Sequence, residues 1–313
     1  MTTTTSFIPK LTYDTHKGQL GRVGILGGCK EYTGAPYYAG ISALRCGAEL
    51  CHVFCTPSAA TPIKSYSPEL IVHPVIYDSG DARESGLSAP SELEKWAIER
   101  TVSGVTKWAS ALDVLVIGPG MGRDEVLLGG VRQVVAKMRE ASVPLVIDGD
   151  GMWMVTQHPE IVSGYKNVIL TPNVVEYKRL CAALGLSDGA PAAEVAAKMG
   201  NLTVLEKGKV DTVSDGANTA TVDQEGSPRR CGGQGDVLSG TTGTFFAWAH
   251  KYYKMKTVEN AQLRYSPSMM AAMCSSRLTR KCANMAFAKT RRSTLTTDII
   301  KEIGAAFEEL YEN

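Results

Sequence analysis

The chain has 313 residues, of which 44% are hydrophobic, and its 33 Lys and Arg residues almost balance 32 Asp and Glu residues. This length and apolar content suit a sizeable core, and the net charge of +1 gives no electrostatic reason to expect nucleic acid or a membrane as a partner. Eight scattered cysteines are too few for a disulfide scaffold and favour a reducing compartment.

The first residues, MTTTTSFIPK, contain no apolar signal-peptide core and no arginine. We therefore expect a short flexible tail over residues 1–13, followed by one domain over residues 14–313. The expected location is cytoplasmic, and a mitochondrial form from an alternative start stays open.

Short β-rich runs then alternate with longer helical patterns. Strands are predicted at 23–26, 51–55, 113–117, 143–147, 168–170 and 203–205, and helices at 35–47, 91–110, 124–140 and 174–184. The apolar runs at 113–117 and 143–147 are typical of strands buried on both faces of a parallel sheet. Residues 78–92 predict a surface loop.

Two later strands, near 212–213 and 219–222, flank the turn signal Ser214-Asp215-Gly216-Ala217 and predict an antiparallel hairpin at the sheet edge. The chain from residue 236 onward is expected to be helical. Its most basic stretch, Arg277-Leu278-Thr279-Arg280-Lys281, predicts a solvated helix face. The order of elements predicts an α/β fold, a single three-layer α/β/α domain with a mostly parallel central sheet and an antiparallel edge hairpin.

The densest glycine pattern precedes an apolar run from Val237 to Trp248, and it reads Gly226-Ser227-Pro228-Arg229-Arg230-Cys231-Gly232-Gly233-Gln234-Gly235-Asp236. A glycine-rich turn at a helix start presents backbone N–H groups to an anion, most often a phosphate. The Asp236 carboxylate would repel that phosphate unless it had a task, such as accepting a proton from an attacking hydroxyl. The pattern predicts phosphoryl transfer from a nucleotide to an alcohol; a capped glycine turn is the alternative.

Other motifs follow predicted strands, and open parallel sheets bind ligands beyond the carboxyl ends of their strands. The loop Gly118-x-Gly120-x-Gly122 is a weak signal alone, because a tight turn explains it equally well. The pattern Asn173-Val174-Val175-Glu176 is suited to organising Mg²⁺ through its waters or to capping a helix. Lys207 is either a nucleotide contact or a surface charge. Arg229 and Arg230 either donate to phosphate oxygens or face solvent.

These segments resemble, in order, the ATP-dependent NAD(P)H-hydrate dehydratases, carbohydrate-kinase-domain enzymes of the ribokinase-like superfamily. The resemblance covers about residues 14 to 308. It is carried by HKGQLGRVGILGG (16–28), EYTGAPYYAGISALRCGAEL (31–50), SYSPELIVHP (65–74), VIGPGMGRD (116–124), VIDGDG (146–151), LTPNVVEYKRL (170–180), LEKGKVD (205–211) and GSPRRCGGQGDVLSG (226–240).

The resemblance implies a ribokinase-like fold and ATP-dependent dehydration of the S-form of hydrated NADH or NADPH, with release of ADP and phosphate. It implies Asp236 as the catalytic base, ATP as co-substrate and Mg²⁺ as cofactor, with Glu176 acting on the metal through water. The implied substrate-binding residues are Gly120, Asn173, Val174, Val175, Glu176, Tyr177, Lys178, Arg179 and Asp236. The implied ATP-binding residues are Lys207, Gly208, Lys209, Val210, Asp211, Gly226, Ser227, Pro228, Arg229, Arg230, Cys231, Gly232, Gly233, Gln234 and Gly235.

The expected partners are small molecules, with no nucleic acid and no membrane. A homo-oligomer is possible, and a functional partnership with an NAD(P)H-hydrate epimerase on a separate chain is implied. Two alternatives stay open at this point. One is a ribokinase-like kinase of a vitamin precursor, such as a hydroxymethylpyrimidine or hydroxyethylthiazole, which would yield a stable phosphorylated alcohol. The other is a non-catalytic nucleotide-binding module, against which the intact Asp236 argues.

Overall fold

The computed structural model describes residues 6–14, 18–87, 89–256 and 264–312. Within them, one sheet of nine strands has the order β3-β2-β1-β4-β5-β6-β7-β8-β9. The strands are β1 (Arg22–Leu26), β2 (Leu50–Cys55), β3 (Leu70–Pro74), β4 (Val114–Ile117), β5 (Leu145–Ile147), β6 (Val168–Leu170), β7 (Thr203–Glu206), β8 (Asp211–Ser214) and β9 (Thr219–Val222).

The sheet is parallel from β3 through β7 and antiparallel at one edge. In the parallel part, Ile25 of β1 pairs with Val53 of β2 on one side and Val116 of β4 on the other. At the edge, β7 pairs with β8 and β8 with β9 in antiparallel register. The predicted fold class, including the edge hairpin, is confirmed. The chain order reverses direction across the sheet between β1 and β4, and open α/β sheets bind ligands at such a switch point.

Helices cover both faces of the sheet. They are α1 (Gly34–Cys46), α2 (Pro57–Tyr66), α3 (Ser79–Arg83), α4 (Pro90–Thr106), α5 (Glu125–Glu140), α6 (Gly149–Gln157), α7 (Val174–Ala183), α8 (Ala192–Lys198), α9 (Gln234–Lys256), α10 (Pro267–Thr290), α11 (Thr296–Lys301) and α12 (Ile303–Phe307). No helix among the described residues has the length and apolar character needed to cross a membrane.

Alternate residues of the central strands feed two separate cores, which makes the three layers. Val114 and Val116 belong to the core on the side of α1, α9 and α10, whereas Leu115 and Ile117 belong to the core on the side of α5 to α8. Successive side chains of a strand point to opposite faces, so the uninterrupted apolar run at 114–117 serves both cores.

The structure differs from the sequence-based expectations in the segment 78–92 and near the N-terminus. The loop predicted at 78–92 is wrong over α3 and the start of α4, because Asp78 caps α3 by accepting from Gly80 N at 2.8 Å and Asp81 N at 2.9 Å. Phe7, inside the expected tail, is buried with its ring 6.2 Å from Phe245. The domain boundary at residues 13 and 14 stays a prediction. Residues 16 and 17 of the quoted HKG segment lie outside the described residues.

Candidate active site

The loops that follow β1, β4 and β5 meet at the switch point of the sheet. Gly28 N donates to Gly120 O at 3.1 Å. Gly118 has a φ of +120°, and a Cβ there would lie 1.8 Å from the carbonyl oxygen of Asp148. Only glycine allows this backbone approach, so the loop of residues 118–122 lies directly against the end of β5.

Asp148 joins the ends of three neighbouring strands. Its buried carboxylate accepts from Thr171 Oγ1 at 2.8 Å and from Lys207 Nζ at 3.0 Å. Burial alone would lower the pKa of Lys207, but the negative charges around it outweigh burial and raise that pKa. Lys207 is therefore a charged, largely buried cation, and the surface-charge alternative is wrong.

Asp236 lies in the first turn of α9, as predicted, beside this ion pair. A Cβ on the preceding Gly235 would lie 3.6 Å from Asp148 Oδ2 and 3.8 Å from Lys207 Nζ. Burial, and then the charge of Asp148, raises the pKa of Asp236 well above its ordinary value, while Lys207 opposes the shift. A carboxylate with a raised pKa is a stronger proton acceptor once ionised.

The glycine-rich turn before α9 is held in place from two sides. Gly233 has a φ of +96°, and a Cβ there would lie 2.8 Å from Tyr38 and 2.9 Å from Thr296 Oγ1. The Thr296 hydroxyl also donates to Gly232 O. Gly232 itself faces open space. Since the first N–H groups of a helix have no partner within it, the turn can bind an anion there.

Tyr38 is a residue of this site that sequence reasoning missed. It belongs to α1 and lies against Gly233. Burial raises the pKa of its hydroxyl, and the charge of Asp236 adds to that shift. The segment EYTGAPYYAG was used only for the resemblance, since nothing in its pattern links α1 to a turn almost 200 residues later.

Arg229 and Arg230 are exposed, and neither forms an ion pair with a described carboxylate. Arg229 Nη1 donates to Arg230 O at 3.0 Å, and Arg229 N donates to Ser227 Oγ at 3.0 Å. Gln234 Nε2 reaches Arg229 O at 3.3 Å. These bonds shape the backbone of the turn and leave the guanidinium groups open to an anion.

The segment from Lys207 to Asp211 is fastened to α10 by Arg280. Asp211 is buried and accepts from Gly208 N at 2.9 Å, Ser276 Oγ at 2.7 Å and Arg280 Nη1 at 2.9 Å. Arg280 also donates through Nε to Gln224 O at 2.6 Å, and to Lys209 O. The solvated helix face predicted for the basic stretch is therefore wrong, because none of its five residues is exposed. Carbonyls and a buried carboxylate satisfy the charge of Arg280.

Asp211 therefore shapes the loop, whereas Lys209 and Val210 are exposed beside it. The glycine segment is tied to the same helix, since Asn284 Nδ2 donates to Gly226 O at 3.2 Å. The two segments predicted to bind ATP thus share α10 as a support.

Asn173 and Glu176 form the helix-capping pair that the sequence left as one alternative. Asn173 Oδ1 accepts from Glu176 N at 3.1 Å, and Glu176 Oε2 accepts from Asn173 N at 2.8 Å. Burial nevertheless raises the pKa of Glu176, and Lys207 opposes that shift. Glu176 thus caps α7 and also interacts electrostatically with Lys207 and Asp148.

The rest of this segment divides between core and surface. Val174 and Val175 are exposed to 52% and 54% at the helix start. The Tyr177 side chain is buried, with its hydroxyl bonded to Ala190 O at 2.7 Å. Lys178 pairs with Asp188 at 2.9 Å. The side chains of Tyr177 and Lys178 are thus engaged within α7 and the following loop, which the motif alone did not indicate.

Gly120 packs against the segment that leads into α1. Its φ is +57°, and a Cβ there would lie 2.7 Å from Tyr32 O and 3.1 Å from Ala35. Among the residues that the structure describes, no group of three or more His, Cys, Asp and Glu side chains lies close enough to hold a metal by itself.

The chain resembles known proteins over most of its length. A family model described as NAD(P)H-hydrate dehydratase matches residues 23–305. A protein from Physcomitrium patens named ATP-dependent (S)-NAD(P)H-hydrate dehydratase is 46% identical over 318 residues, which cover 95% of this chain and 92% of that protein.

Two solved structures share the fold. A ribokinase-like superfamily protein from Enterococcus faecalis has a TM-score of 0.72 at 21% identity, with 97% of this chain and 94% of that chain covered. An ADP/ATP-dependent NAD(P)H-hydrate dehydratase from Bacillus subtilis, co-crystallized with ATP and Mg²⁺, has a TM-score of 0.65 at 19% identity, covering 97% and 96%. The fold is ribokinase-like.

Proposed function

The chain belongs to the NAD(P)H-hydrate dehydratase family, and on that premise we propose that it uses ATP to dehydrate the S-form of hydrated NADH and NADPH. The products are the restored reduced cofactor, ADP and orthophosphate. The observation that carries the proposal is Asp236, a carboxyl with a raised pKa in the first turn of α9, directly after the glycine-rich turn and beside the Asp148–Lys207 pair.

Asp236 acts as the general base. It accepts the proton from the hydroxyl of the hydrated nicotinamide ring, and that oxygen attacks the γ-phosphorus of ATP. The new O–P bond forms as the bond to ADP breaks. The lone pair of the ring nitrogen then expels the phosphate by breaking the C–O bond, and loss of a proton from the neighbouring ring carbon restores the double bond.

The backbone N–H groups of the turn at residues 232–235 stabilise the phosphoryl group during transfer. Donors fixed before the reaction need no rearrangement when charge develops, and this kind of stabilisation is often the largest contribution to catalysis. Thr296 and Tyr38, which pack against Gly233, keep these donors in place.

ATP lies across the two segments that α10 supports, residues 207–211 and 226–235. Lys207 offsets the charge of the carboxylates around it and donates to a phosphate oxygen of ATP. Arg229 and Arg230, exposed at the turn, donate to the terminal phosphate.

Mg²⁺ fits the same crevice as a partner of ATP. Glu176, Asp148 and Asp236 interact electrostatically around Lys207, so the site is rich in carboxylate oxygen. Mg²⁺ keeps several of its waters in such sites and binds phosphates together with few protein oxygens. Glu176 would hold it through water, and the metal would offset the charge of the triphosphate.

An epimerase on a separate chain would supply the S-form from the other epimer. The eight cysteines are all free thiols, as a reducing compartment keeps them, and we retain the cytoplasm as the proposed location. A homo-oligomer likewise stays a proposal.

The test uses chemically hydrated NADH with ATP and Mg²⁺, and follows the absorbance of the reduced nicotinamide. We expect recovery of that absorbance only when ATP and a divalent cation are both present. A stable phosphorylated alcohol with no recovery would contradict dehydration and indicate a kinase. Full activity in excess chelator would contradict only the proposed role of Mg²⁺ and not the dehydration.

A further inference from the structure

An aromatic ring with two arginines beside it lies next to the loop of residues 118–122, and of these three residues only Arg179 has an implied role in substrate binding. The guanidinium carbon of Arg123 lies 4.7 Å from the ring centroid of Trp153, and that of Arg179 lies 5.9 Å from the same ring. Arg123 precedes α5, Trp153 is on α6 and Arg179 is on α7, so three separate elements bring these side chains together. We call this group the tryptophan shelf.

The shelf carries more positive than negative charge. Arg123 Nε donates to Asp150 Oδ1 at 2.9 Å, and the other oxygen of Asp150 accepts from Gly122 N at 2.9 Å. This leaves both terminal nitrogens of Arg123 available. Arg179 forms no ion pair with any described carboxylate and is exposed. Asp150 faces Arg123, and the charge of Glu176 acts on Arg179 without forming an ion pair. Guanidinium nitrogens that carry no hydrogen bond can still hold an anion between the two arginines.

The position of the shelf assigns it to the substrate rather than to ATP. Asp150 lies near enough to Asp236 for its charge to help raise the pKa of that residue. The shelf is fixed to the loop of Gly120 and Gly122, and it shares α7 with the exposed Val174 and Val175. The ATP segments have their own arginines at 229 and 230.

We propose that Arg123 and Trp153, together with Arg179, bind the diphosphate bridge of the hydrated dinucleotide, an inference that rests on the proposed function. The bridge is one ribose away from the ring on which Asp236 acts, and it carries two negative charges in both NADH and NADPH hydrates. Guanidinium groups donate in a fork to phosphate oxygens, and the Trp153 ring holds both guanidinium groups in position for the bridge. Arg123 therefore binds the substrate, and Trp153 positions the two arginines.

The kinetic test compares Arg123→Gln and Trp153→Leu with Arg100→Gln, which removes a similar arginine–tryptophan contact elsewhere (Arg100 lies 4.9 Å from the Trp96 ring). Losing a charge-assisted contact should raise the KM for both hydrates about tenfold to a hundredfold in Arg123→Gln, with the KM for ATP unchanged. The Arg100 variant should match the wild type. A wild-type KM in both shelf variants would overturn the proposal, and an effect confined to the NADPH hydrate would overturn the diphosphate assignment.

A binding test does not need turnover. ADP-ribose carries the diphosphate bridge without the nicotinamide, and a non-hydrolysable ATP analogue keeps it out of the ATP site. We expect ADP-ribose to change the tryptophan fluorescence of the wild type, and Trp153→Phe to remove most of that change while keeping the melting temperature. No binding by a folded wild type would overturn the shelf. Binding without any dehydration would support the shelf and contradict the proposed function instead.

Discussion

The surroundings of Asp236 raise the pKa of its carboxyl, and the same surroundings make its ionised form destabilise the folded protein. Burial and Asp148 raise its pKa, and Lys207 opposes them only in part. Ionised Asp236 therefore lowers the free energy of unfolding, because its charge is better solvated in the unfolded chain. Activity and stability thus make opposite demands on this residue, as is common at catalytic sites.

Replacing Asp236 by Asn should therefore stabilise the protein at neutral pH. Below the ordinary aspartate pKa the carboxyl is protonated in both folded and unfolded chains, so the penalty is absent. As the pH rises through the window from the ordinary pKa to the raised one, the unfolded chain loses its proton first and the folded state loses stability. Above both values the penalty is complete.

The measurement is urea unfolding of Asp236→Asn and wild type at several pH values. The variant should be the more stable at neutral pH, and the difference should close as the pH falls towards the ordinary aspartate pKa. A difference that grows on acidification would contradict the raised pKa.

Arg229 and Arg230 predict a preference for ATP over ADP, because they stand at the glycine turn without carboxylate partners among the described residues. Each charge-assisted contact to the γ-phosphate contributes about 1.5–3 kcal/mol, which is roughly tenfold to a hundredfold in kcat/KM. The ratio of kcat/KM for ATP and ADP on the same hydrate measures it. Equal values would refute the preference, and a preference retained in Arg229→Ala and Arg230→Ala would remove the arginines as its cause.

Sequence reasoning located the residues whose chemistry shows in a local pattern. Asp236 follows a glycine turn and Asn173 precedes a helix, so both could be placed in advance. Asp148 and Arg280 could not be identified in this way. Asp148 belongs to the segment VIDGDG, which only the resemblance singled out, and its role depends on Lys207, 59 residues later. Arg280 sits in a basic stretch whose partners lie on other elements.

At the scale of elements, the glycine turn depends on one glycine more than on its neighbour. Gly233 has a positive φ and close contacts with α1 and α11, whereas Gly232 faces open space with an ordinary backbone conformation. The two positions therefore form a matched pair for separating backbone strain from the mere presence of a methyl group.

Gly233→Ala should destabilise the protein by about 2 kcal/mol, from the strained φ together with the contacts to Tyr38 and Thr296. It should also weaken ATP binding, because the displaced turn no longer aims its N–H groups. Gly232→Ala should stay within about 0.5 kcal/mol of the wild type, as surface substitutions usually do. Denaturant unfolding checks both, and equal losses in the two variants would show that the positive φ is not the cause.

The support from α10 predicts an effect at a distance from the turn. Arg280→Lys keeps the charge but loses the planar fork that reaches Asp211 and Gln224. We expect a loss of about 1–3 kcal/mol in stability, since a buried carboxylate loses a partner, together with a several-fold higher KM for ATP. The control is Arg277→Lys, one turn earlier on α10. The side chain of Arg277 makes no hydrogen bond or ion pair among the described residues. If both variants behave alike, α10 does not organise the ATP segments.

Some elements escaped the sequence analysis for identifiable reasons. Strand β3 ends in Pro74 and is buried only at Leu70, as an edge strand can be, so it lacked the continuous buried apolar run of β4. Helix α2 contains Pro57, Pro62 and several small residues, which obscured its period. Strands buried on both faces were predicted best, because their composition alone distinguishes them.

For the whole molecule, the fold explains why distant segments form one site. Parallel strands direct their carboxyl ends to one edge, so the loops after β1, β4, β5, β6 and β7 meet there, and α9 begins beside them. Asp236 thus lies directly after the glycine-rich turn and beside the ends of β5 and β7. A kinase framework can serve a dehydratase in this way, provided that the phosphorylated intermediate loses its phosphate.

The most direct test of the central claim measures orthophosphate release and recovery of reduced nicotinamide in the same reaction with hydrated NADH, ATP and Mg²⁺. We predict one orthophosphate for each NADH restored, with both rates reduced about 10²–10⁴-fold in Asp236→Asn, while that variant still binds ATP. Orthophosphate without NADH, phosphorylated hydrate that accumulates, or near-normal turnover in a folded Asp236→Asn would contradict the account.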